Sequence, residues 1–367
     1  MIKVVLTNEM VRRIAKIETN RFSFNETELP VRTANRLRKN SKKKSSYASN
    51  KIEGNPLTEG QANEAIERDE HKHFLKPEQE IRNYFIALNV LEEKLKEKEA
   101  FSTELILTIQ SIVEKGASKE KIGLRGPMPP GVLFAVYDSE TGAAEYIPPE
   151  YSDIPMLLDE LVSYVNTTDD HPLIIAAIVH YQLVTIHPFE DGNGRTARLL
   201  SGYVLDSFGY GFGGIGSLEE YFSYDTGEYY ASLQMGLPPL YYMGRNNPPH
   251  PEIWIHYFLR MVELYSGRVC ELSKEAGSDV LDASLSYLSR KEKELLAFLI
   301  ENNMREFTPI EVSRLTAVTN RTIINRCAKL TAQGFLIPNL AKERIRSYRL
   351  SEFAITNSRE ISESLHK

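Results

Sequence analysis

HPFEDGNGRTAR, residues 187–198, is the stretch of sequence that decides both the fold and the chemistry we predict for this chain. It separates one apolar helical pattern, Pro172–Thr185, from a second, Arg195–Phe208. The glycines on either side of Asn193 allow several backbone N–H groups to converge where the second helix begins, and the helix dipole favours an anion there. The stretch therefore predicts a phosphate-binding turn between two neighbouring helices.

Four side chains of this stretch point to phosphoryl chemistry. Arg195 and Arg198 lie three residues apart on the second helix, and their forked, permanently charged donors suit polyphosphate oxygens. Asp191 is the type of hard oxygen ligand that Mg²⁺ uses when phosphates and water complete its shell. His187 titrates near neutrality and can take a proton from a hydroxyl nucleophile. Because the chain has no G-x-x-x-x-G-K-[ST] sequence, these features do not predict a P-loop NTPase.

The stretch resembles the signature of the Fic family, H-x-F-x-[D/E]-G-N-G-R-x-x-R, at every defined position. Gly192 and Gly194 resemble the branch that transfers AMP, since the related phosphorylating toxins carry Ala and Lys in place of the glycines. The resemblance implies transfer of AMP from ATP to a protein hydroxyl, with His187 as the base and Asp191 as the Mg²⁺ ligand. The ATP-binding residues that it implies are Gly192, Asn193, Gly194, Arg195, Thr196, Ala197, Arg198, Tyr229 and Tyr230.

Two further segments gain an interpretation from this resemblance. Tyr229 and Tyr230 lie where family members place aromatic rings near adenine, although a pair of tyrosines is equally typical of a core. Residues 131–149, GVLFAVYDSETGAAEYIPP, predict two short strands around a polar turn at Asp138–Gly142. Two strands alone are only marginally stable, so the hairpin is better placed on the helices as a flap. The resemblance implies that a target protein docks on this flap as an added strand, and the chain itself is a candidate target.

A second motif lies upstream. Ser49-Asn50-Lys51-Ile52-Glu53-Gly54-Asn55 resembles the inhibitory motif [S/T]-x-x-x-E-[G/N] that certain Fic proteins carry on an N-terminal helix. The resemblance implies that Ser49 and Glu53 are inhibitory residues and that Glu53 pairs with Arg198, the donor intended for the γ-phosphate. Just before this motif, residues 32–44 hold seven basic residues in thirteen. That run is typical of a solvated helix face, with contact to nucleic acid as the alternative.

The fold class that we predict is mainly α: a helical Fic core with a β-hairpin flap, followed by a C-terminal winged helix-turn-helix domain. Periodic apolar positions predict helices at 78–97, 104–115, 154–166, 172–185, 195–208 and 252–274. Polar and small residues at Ala276–Asp282 predict an interruption of the helices and a domain boundary. We therefore expect an N-terminal helical region with the inhibitory motif at 1–100, the Fic core at 101–282, and the winged-helix domain with its tail at 283–367.

The C-terminal pattern resembles a winged helix. Helices are predicted at Lys291–Asn302, from Thr308-Pro309 and at Thr319–Gln333, and Phe335–Leu350 predicts two strands around a Lys342–Arg346 turn. Residues 286–350 hold 12 Lys/Arg against 6 Asp/Glu, whereas the whole chain has a net charge of −6. Duplex DNA is therefore a candidate partner of residues 308–349, although winged helices also dock proteins. The residues expected in the major groove or at phosphates are Arg321, Asn325, Arg326, Lys342, Arg344 and Arg346.

Composition sets the cellular context that we expect. The chain is 42% hydrophobic and 26% charged, which excludes a disordered protein. Its two cysteines, Cys270 and Cys327, are too few for a disulfide framework. The first twenty residues lack the apolar core of a secretory signal, and no run of about 18 apolar residues predicts a membrane span. These features predict a protein of the reducing cytoplasm.

The leading functional prediction is a protein adenylyltransferase that uses ATP and Mg²⁺ and is held inactive by Glu53. One alternative is the removal of AMP from a modified protein at the same site, with Glu53 positioning the water. Another alternative, from a different class, is a DNA-binding regulator whose core only senses nucleotide. The presence of both His187 and Asp191 favours an enzyme, because a sensor would need neither a base nor a metal ligand.

Overall fold

The computed structural model of the protein describes residues 2–27, 29–69, 73–117, 121–132, 134–137, 144–237, 248–341 and 344–363, and over these residues it is mainly helical, as predicted. The chain divides into two units, Met1–Phe24 with Ala34–Cys270, and Asn25–Thr33 with Glu271–Lys367. Each unit has a hydrophobic core of its own. Within the described residues, no helix is both long and apolar enough to cross a membrane.

The helices found in the first 286 residues include all six that the apolar periodicity predicts in this part of the chain. Five more, α1–α3, α9 and α10, are amphipathic or short, and the sequence analysis did not delimit them. In chain order the helices are α1 (Asn8–Asn25), α2 (Val31–Ile52), α3 (Glu59–Glu67), α4 (Lys76–Lys96), α5 (Thr103–Glu114), α6 (Ile154–Thr167), α7 (Pro172–Ile186), α8 (Asn193–Ser207), α9 (Leu218–Tyr224), α10 (Thr226–Gln234) and α11 (Pro251–Ser286).

Helix α7 lies at the centre of the larger unit. Nearly all of its side chains are buried, which is the expected state of a helix that is apolar on every face. It packs most extensively against α8, because the connection between them spans only residues 187–192. Trp254 of α11 donates its indole N–H to the carbonyl of Ala177 at 2.8 Å and fixes α7 from another side. The connecting loop, which holds most of the predicted site, is thus carried by the two most securely packed helices.

The predicted hairpin is present over its described part. Strand β1 (Val136–Tyr137) pairs antiparallel with β2 (Ala144–Tyr146), and Val136 lies opposite Tyr146. The predicted turn at Asp138–Gly142 lies outside the described residues. The segment that leads into the hairpin is tied to the 187–192 loop, since Leu124 forms a β-bridge with Phe189 and the N–H of Arg125 donates to the carbonyl of Pro188 at 2.9 Å.

The predicted interruption of the helices at Ala276–Asp282 is wrong. Helix α11 continues through this segment to Ser286. The segment contains no proline, and two buried leucines four residues apart, Leu281 and Leu285, continue the apolar stripe of the helix. Burial of such a stripe outweighs the weak helix propensity of a single glycine, Gly277. The division into units keeps residues 34–100 together with the 187–192 loop and falls between Cys270 and Glu271. The domain boundaries at 100 and 282 stay predictions.

The C-terminal unit contains the predicted order of helices and strands. Its elements are α12 (Arg290–Glu301), β3 (Glu306–Phe307), α13 (Pro309–Thr316), α14 (Asn320–Ala332), β4 (Leu336–Ala341), β5 (Arg344–Leu350), α15 (Glu352–Thr356) and α16 (Ser358–Glu363). The three strands form an antiparallel sheet in the order β3-β5-β4. Thr308 and Glu311 form a capping box at the start of α13, and the Thr319 hydroxyl caps α14. Of the predicted DNA contacts, Arg321, Asn325 and Arg346 are exposed, and Lys342 lies outside the described residues.

Candidate active site

The loop between α7 and α8 is shaped by two residues in left-handed conformation and one asparagine. His187 ends α7 at φ 49° and Gly192 precedes α8 at φ 81°. Between them, the side chain of Asn193 accepts a hydrogen bond from the Phe189 N–H (3.0 Å) and donates one to the Phe189 carbonyl (2.9 Å). The amide of Asn193, predicted to bind ATP, is thus occupied in bracing the loop. The N–H groups of the first turn of α8 have no partner within their own helix and mark the anion site.

His187 is held in the form that a general base requires. Its Nδ1 lies 3.2 Å from the carbonyl of Val184, and because a carbonyl only accepts, Nδ1 carries the proton and Nε2 keeps its lone pair. Burial lowers the pKa of His187 to about 4, although the Val184 carbonyl opposes that shift. The imidazole is therefore neutral at pH 7. Arg125 donates its Nε–H to the His187 carbonyl at 2.8 Å and fixes the backbone at this position.

Asp191 lies at the start of the anion site and is partly exposed. Its Oδ1 accepts hydrogen bonds from the Gly192 N–H (2.8 Å) and from Nη2 of Arg195 (3.2 Å), whereas Oδ2 lies 3.3 Å from Nζ of Lys121. Burial alone would raise the pKa of Asp191, but Arg195 and the Gly192 N–H outweigh it and hold that pKa below its ordinary value. Asp191 is therefore an ionised carboxylate with one oxygen already bound by the protein and the other beside a lysine side chain that is itself 41% exposed.

This donor set fits Mg²⁺ in the way the sequence predicts. Mg²⁺ is commonly held by one or two carboxylates while phosphates and water supply its other ligands. Among the described residues, no group of three or more His, Cys, Asp or Glu side chains could hold a metal ion without such help. A divalent cation here would bind Asp191 together with the phosphates of a nucleotide.

Besides Asp191, Arg195 is buried beside two further carboxylates that were not predicted from the sequence. Its Nη2 donates to Oε1 of Glu114 at 2.8 Å, and Oε1 of Glu80 lies 3.9 Å from its Nη1. Burial raises the pKa of Glu114 to about 7, with Arg195 acting in the opposite direction. Glu114 lies on the buried face of α5, which is apolar apart from Glu114 and Gln110, and a carboxylate at such a position is the signal that could have identified it. Within the described part of the chain, Nε and Nη1 of Arg195 have no hydrogen-bond partner, so donors remain for a ligand.

Arg198, three residues further along α8, uses all of its guanidinium nitrogens on protein partners. Nε donates to the Ser49 hydroxyl (2.7 Å), and Nη2 donates to Oε1 of Glu53 (2.6 Å) and to the Ser49 carbonyl (3.1 Å). Nη1 donates to the hydroxyl of Tyr229 at 3.3 Å. The side chain of Arg198 is only 1% exposed, while that of Glu53 is 33% exposed. The structure therefore contains the Glu53–Arg198 pair that the family resemblance implies.

Glu53 itself is not on the helix, contrary to what the motif led us to expect. Helix α2 ends at Ile52, and Glu53 is the first residue of the closing turn, with Gly54 next at φ 79°. The N–H groups of Gly54 and Asn55 donate to the carbonyls of Lys51 and Asn50 (both 3.0 Å), which is a Schellman motif. Gly54 of the inhibitory motif is thus the residue that ends the helix and turns Glu53 towards α8.

The remaining predicted ATP-binding residues lie at different depths. The Tyr229 ring is 1% exposed, and its hydroxyl hydrogen bonds with Nε2 of His180 (2.8 Å) as well as with Arg198, so its role is to support that arginine. Tyr230 is 46% exposed, and its hydroxyl donates to the carbonyl of Ile52 at 3.3 Å. Thr196 and Ala197 are fully buried in α8. A Cβ on Gly194 would lie 2.4 Å from Oε1 of Glu53, so a larger residue at this position would require the Glu53 side chain to shift.

Four of the seven basic residues at 32–44 pair with acidic neighbours. Lys39 and Lys43 both pair with Glu67, at 2.8 and 2.7 Å. Lys42 pairs with Glu92, and Lys44 pairs with Glu220 at 3.0 Å. These pairs favour the solvated helix face over the nucleic-acid contact that was the alternative.

The fold agrees with what the comparisons with known proteins show. Residues 100–205 match the model of the Fic/DOC family. A Fic family protein from Desulfovibrio desulfuricans has a TM-score of 0.57 at 20% identity, over 96% of this chain and 98% of that chain. Fic-1 from C. elegans has a TM-score of 0.55 at 24% identity, over 73% of each chain. A helical unit with this loop between two central helices is a Fic fold.

Proteins named protein adenylyltransferase Fic, from Drosophila willistoni and Drosophila mojavensis, are each 28% identical to this chain over 211 residues. The matched region is 54% of this chain and 39% and 38% of those proteins, so the chain spans about two fifths of the length of these curated relatives. Residues 100–205 of this chain therefore form a Fic domain.

Proposed function

We propose that this protein is an adenylyltransferase that moves AMP from ATP to a hydroxyl side chain of a target protein. The observation that carries the proposal is the state of His187, a neutral imidazole with a free Nε2 beside an ionised Asp191 and the N-terminus of α8. A base, an anion site and a carboxylate for a divalent cation are what such a transfer requires. The name of the Drosophila relatives supports the same activity.

In the proposed reaction, Nε2 of His187 takes the proton of the target hydroxyl as its oxygen attacks the α-phosphorus of ATP. A bond forms between that oxygen and the α-phosphorus, the bond to the bridging oxygen of the β-phosphate breaks, and pyrophosphate leaves. The backbone N–H groups at the start of α8 and the unpartnered donors of Arg195 hold the phosphates. Oδ2 of Asp191 would hold Mg²⁺, which supplies positive charge to the phosphate oxygens when it is bound.

The surface next to His187 suits the docking of a target. A small open cleft is lined by residues from the segments on either side of the hairpin, most of them apolar. Phe134 lines this cleft, and its ring centroid lies 6.0 Å from that of His187. Exposed apolar patches of this kind mark binding sites. The exposed apolar residues around the cleft and the hairpin are Ile122, Leu124, Met128, Val132, Tyr137 and Tyr151. The target therefore carries an apolar side chain near the modified hydroxyl and docks on the 131–149 flap.

The proposal includes autoinhibition by Glu53. With its guanidinium bound to Ser49, Glu53 and Tyr229, Arg198 has four of its five N–H donors occupied and only one left for a γ-phosphate. The carboxylate of Glu53 also repels that phosphate. ATP can therefore bind productively only after the turn at 53–55 moves away. Removal of AMP from a modified protein, the alternative reaction, would use Glu53 in its present place.

For the C-terminal unit we propose a winged helix that binds duplex DNA or protein. Exposed Arg321 and Asn325 on α14 and Arg346 on β5 favour DNA. The exposed Ile324, 42% accessible on the same helix, favours a protein partner. Binding of duplex DNA that weakens steeply with salt and is lost in Arg321→Ala would establish the first partner over the second.

The test of the proposed activity uses ATP labelled at either the α- or the γ-phosphate, with the full chain and a cell lysate. We expect protein labelling from the α-label alone, and a loss of about 10²- to 10⁴-fold in rate in His187→Ala. His73→Ala, at an exposed histidine, is the matched control. Labelling from the γ-phosphate would indicate phosphate transfer, and unchanged labelling by His187→Ala would reject the assigned base. Release of label from AMP-modified protein by the wild type would favour the removal reaction.

A further inference from the structure

Helix α5, which contributes nothing to the family signature, presents two buried polar side chains to the loop that carries it. Gln110 and Glu114 are four residues apart and therefore share a face of the helix. Gln110 donates to the carbonyl of Asp191 (3.3 Å) and to that of Lys121 (2.8 Å). Glu114 accepts a hydrogen bond from Nη2 of Arg195 at 2.8 Å. Gln110 and Glu114, about 80 residues earlier in the chain, thus hold the loop and Arg195 in place through hydrogen bonds.

Glu114 has little freedom to move. Its side chain is 1% exposed, and a Cβ on Gly192 would lie 2.8 Å from its Oε1. The Asn83 side chain donates to the carbonyls of Val113 and Lys115, at 2.8 Å each, and so fixes the backbone on both sides of Glu114. The glycine of the signature and the carboxylate of Glu114 are fitted to each other.

The position of Glu114 determines how Arg195 meets Asp191. Nη2 of Arg195 is shared between Oε1 of Glu114 at 2.8 Å and Oδ1 of Asp191 at 3.2 Å. An arginine with a free fork tends to bind a carboxylate through both oxygens. Since Glu114 holds the guanidinium, Arg195 contacts Oδ1 alone, and the only cation at Oδ2 is the partly exposed Lys121 among the described residues. The side chain of Asp191 is 31% exposed, so a cation can reach Oδ2 if it displaces Lys121.

We propose that Glu114 is a positioning residue that keeps Oδ2 of Asp191 open to a divalent cation by holding Arg195 away from it. The proposal rests on the proposed function only in assigning a cation to Asp191. It predicts that loss of Glu114 lets Arg195 close over both oxygens of Asp191, so that the affinity for the cation falls while the affinity for the nucleotide does not.

The experiment measures binding of Mn²⁺ to the full chain by electron paramagnetic resonance at saturating ADP. ADP has no γ-phosphate and so does not compete with Glu53 for Arg198. We expect Glu114→Ala to raise the Kd of Mn²⁺ by about 10- to 100-fold, as is typical when a residue that orients a ligand is removed. The Kd of ADP without metal should change less than about threefold in the same variant. Glu104→Gln, at an exposed glutamate on the same helix, is the control that should change neither value.

Two further variants separate positioning from a merely structural role. Glu114→Gln keeps an acceptor for Arg195, so it should restore most of the Mn²⁺ affinity that Glu114→Ala loses. In the Arg195→Ala background, Glu114→Ala should cause no additional loss, because its effect acts through Arg195. If Glu114→Ala does not fold, an Mn²⁺ Kd in Glu114→Gln within about threefold of wild type supports the proposal, provided that Asp191→Ala abolishes binding.

Three results would overturn the proposal: an unchanged Mn²⁺ Kd in Glu114→Ala, equal losses in the Ala and Gln variants, or no binding of Mn²⁺ by the wild type with ADP. None of these results depends on transfer of AMP. A chain that labels proteins but shows an unchanged Mn²⁺ Kd in Glu114→Ala would keep the proposed function and lose this inference.

Discussion

The two arginines of the signature lie one turn apart on α8 and meet carboxylates of opposite character. Arg195 is paired with Glu114, which is 1% exposed and whose backbone is fixed by Asn83. Arg198 is paired with Glu53, which is 33% exposed and lies in the turn that closes α2. Displacing the first carboxylate would open the core, whereas the proposed release of the second would require only the turn at 53–55 to move. On this proposal, the side of the site formed by α5 is permanent and the side formed by α2 is removable.

The two arginine–carboxylate pairs therefore differ in how much free energy is lost when the carboxylate is removed. A buried pair that loses one partner leaves an uncompensated charge and costs about 3–5 kcal/mol, whereas an exposed pair contributes less than about 1 kcal/mol. Glu53 lies between these limits, because its partner is buried while it is itself partly exposed. A carboxylate that inhibits reversibly needs an interaction free energy between these limits, since a fully buried carboxylate could not be displaced.

The largest effect is expected from removing the movable partner. Glu53→Gly should raise the rate of protein labelling by about five- to a hundredfold, since releasing Arg198 from an interaction of about 1–3 kcal/mol frees it for the γ-phosphate. Glu53→Gln should activate partially, because it removes the charge and keeps the turn. Labelling at saturating α-labelled ATP measures both, with Glu64→Gln at an exposed position as the control.

Replacing both Glu53 and Arg198 also tests whether Glu53 is an inhibitor. Glu53→Gly with Arg198→Ala should not reach the rate of Glu53→Gly alone, because Arg198 is still needed once the inhibitor is gone. If neither variant of Glu53 labels faster than wild type, Glu53 is not an inhibitor, and the pair belongs to the structure or to the removal of AMP.

The effect of Glu114, the buried partner of Arg195, should be measurable in the free energy of unfolding. The pKa of Glu114 is raised from 4.5 to about 7 by burial, so the folded chain binds a proton there that the unfolded chain does not bind between these pH values. The free energy of unfolding of the wild type should therefore fall relative to Glu114→Gln as pH rises from about 4.5 to about 7, by up to about 3 kcal/mol. Urea unfolding at several pH values measures this difference. A difference that does not vary with pH would show that Glu114 keeps its ordinary pKa.

The sequence predicted one side of the site better than the other, for a physical reason. The turn at 187–198 is local, so its glycines and its apolar flanking helices indicated both its shape and its position. The Glu53–Arg198 pair, 145 residues apart, was predicted only because a motif resembled that of known proteins. Glu114 belongs to no sequence motif, and the residues next to it in the sequence do not indicate that α5 packs against the loop. The error at Ala276–Asp282 has the same origin, since burial of Leu281 and Leu285 decides that α11 continues.

The smallest effect is expected at the residue that fastens the movable turn. Asn55 follows Gly54 and donates from its side chain to Oε2 of Glu80 at 2.9 Å and to the carbonyl of Pro77 at 3.0 Å. Each such hydrogen bond contributes about 0.5–1.5 kcal/mol net. If release of the turn breaks one of the two, Asn55→Ala should favour the released turn and raise labelling by about two- to tenfold. Asn35→Ala, at an exposed asparagine on α2, should leave the rate unchanged. Because Asn55 acts by holding Glu53 in place, its replacement should add nothing to Glu53→Gly. An additive gain in the double variant would instead mean that Asn55 affects the phosphate site directly through Glu80, which lies 3.9 Å from Arg195.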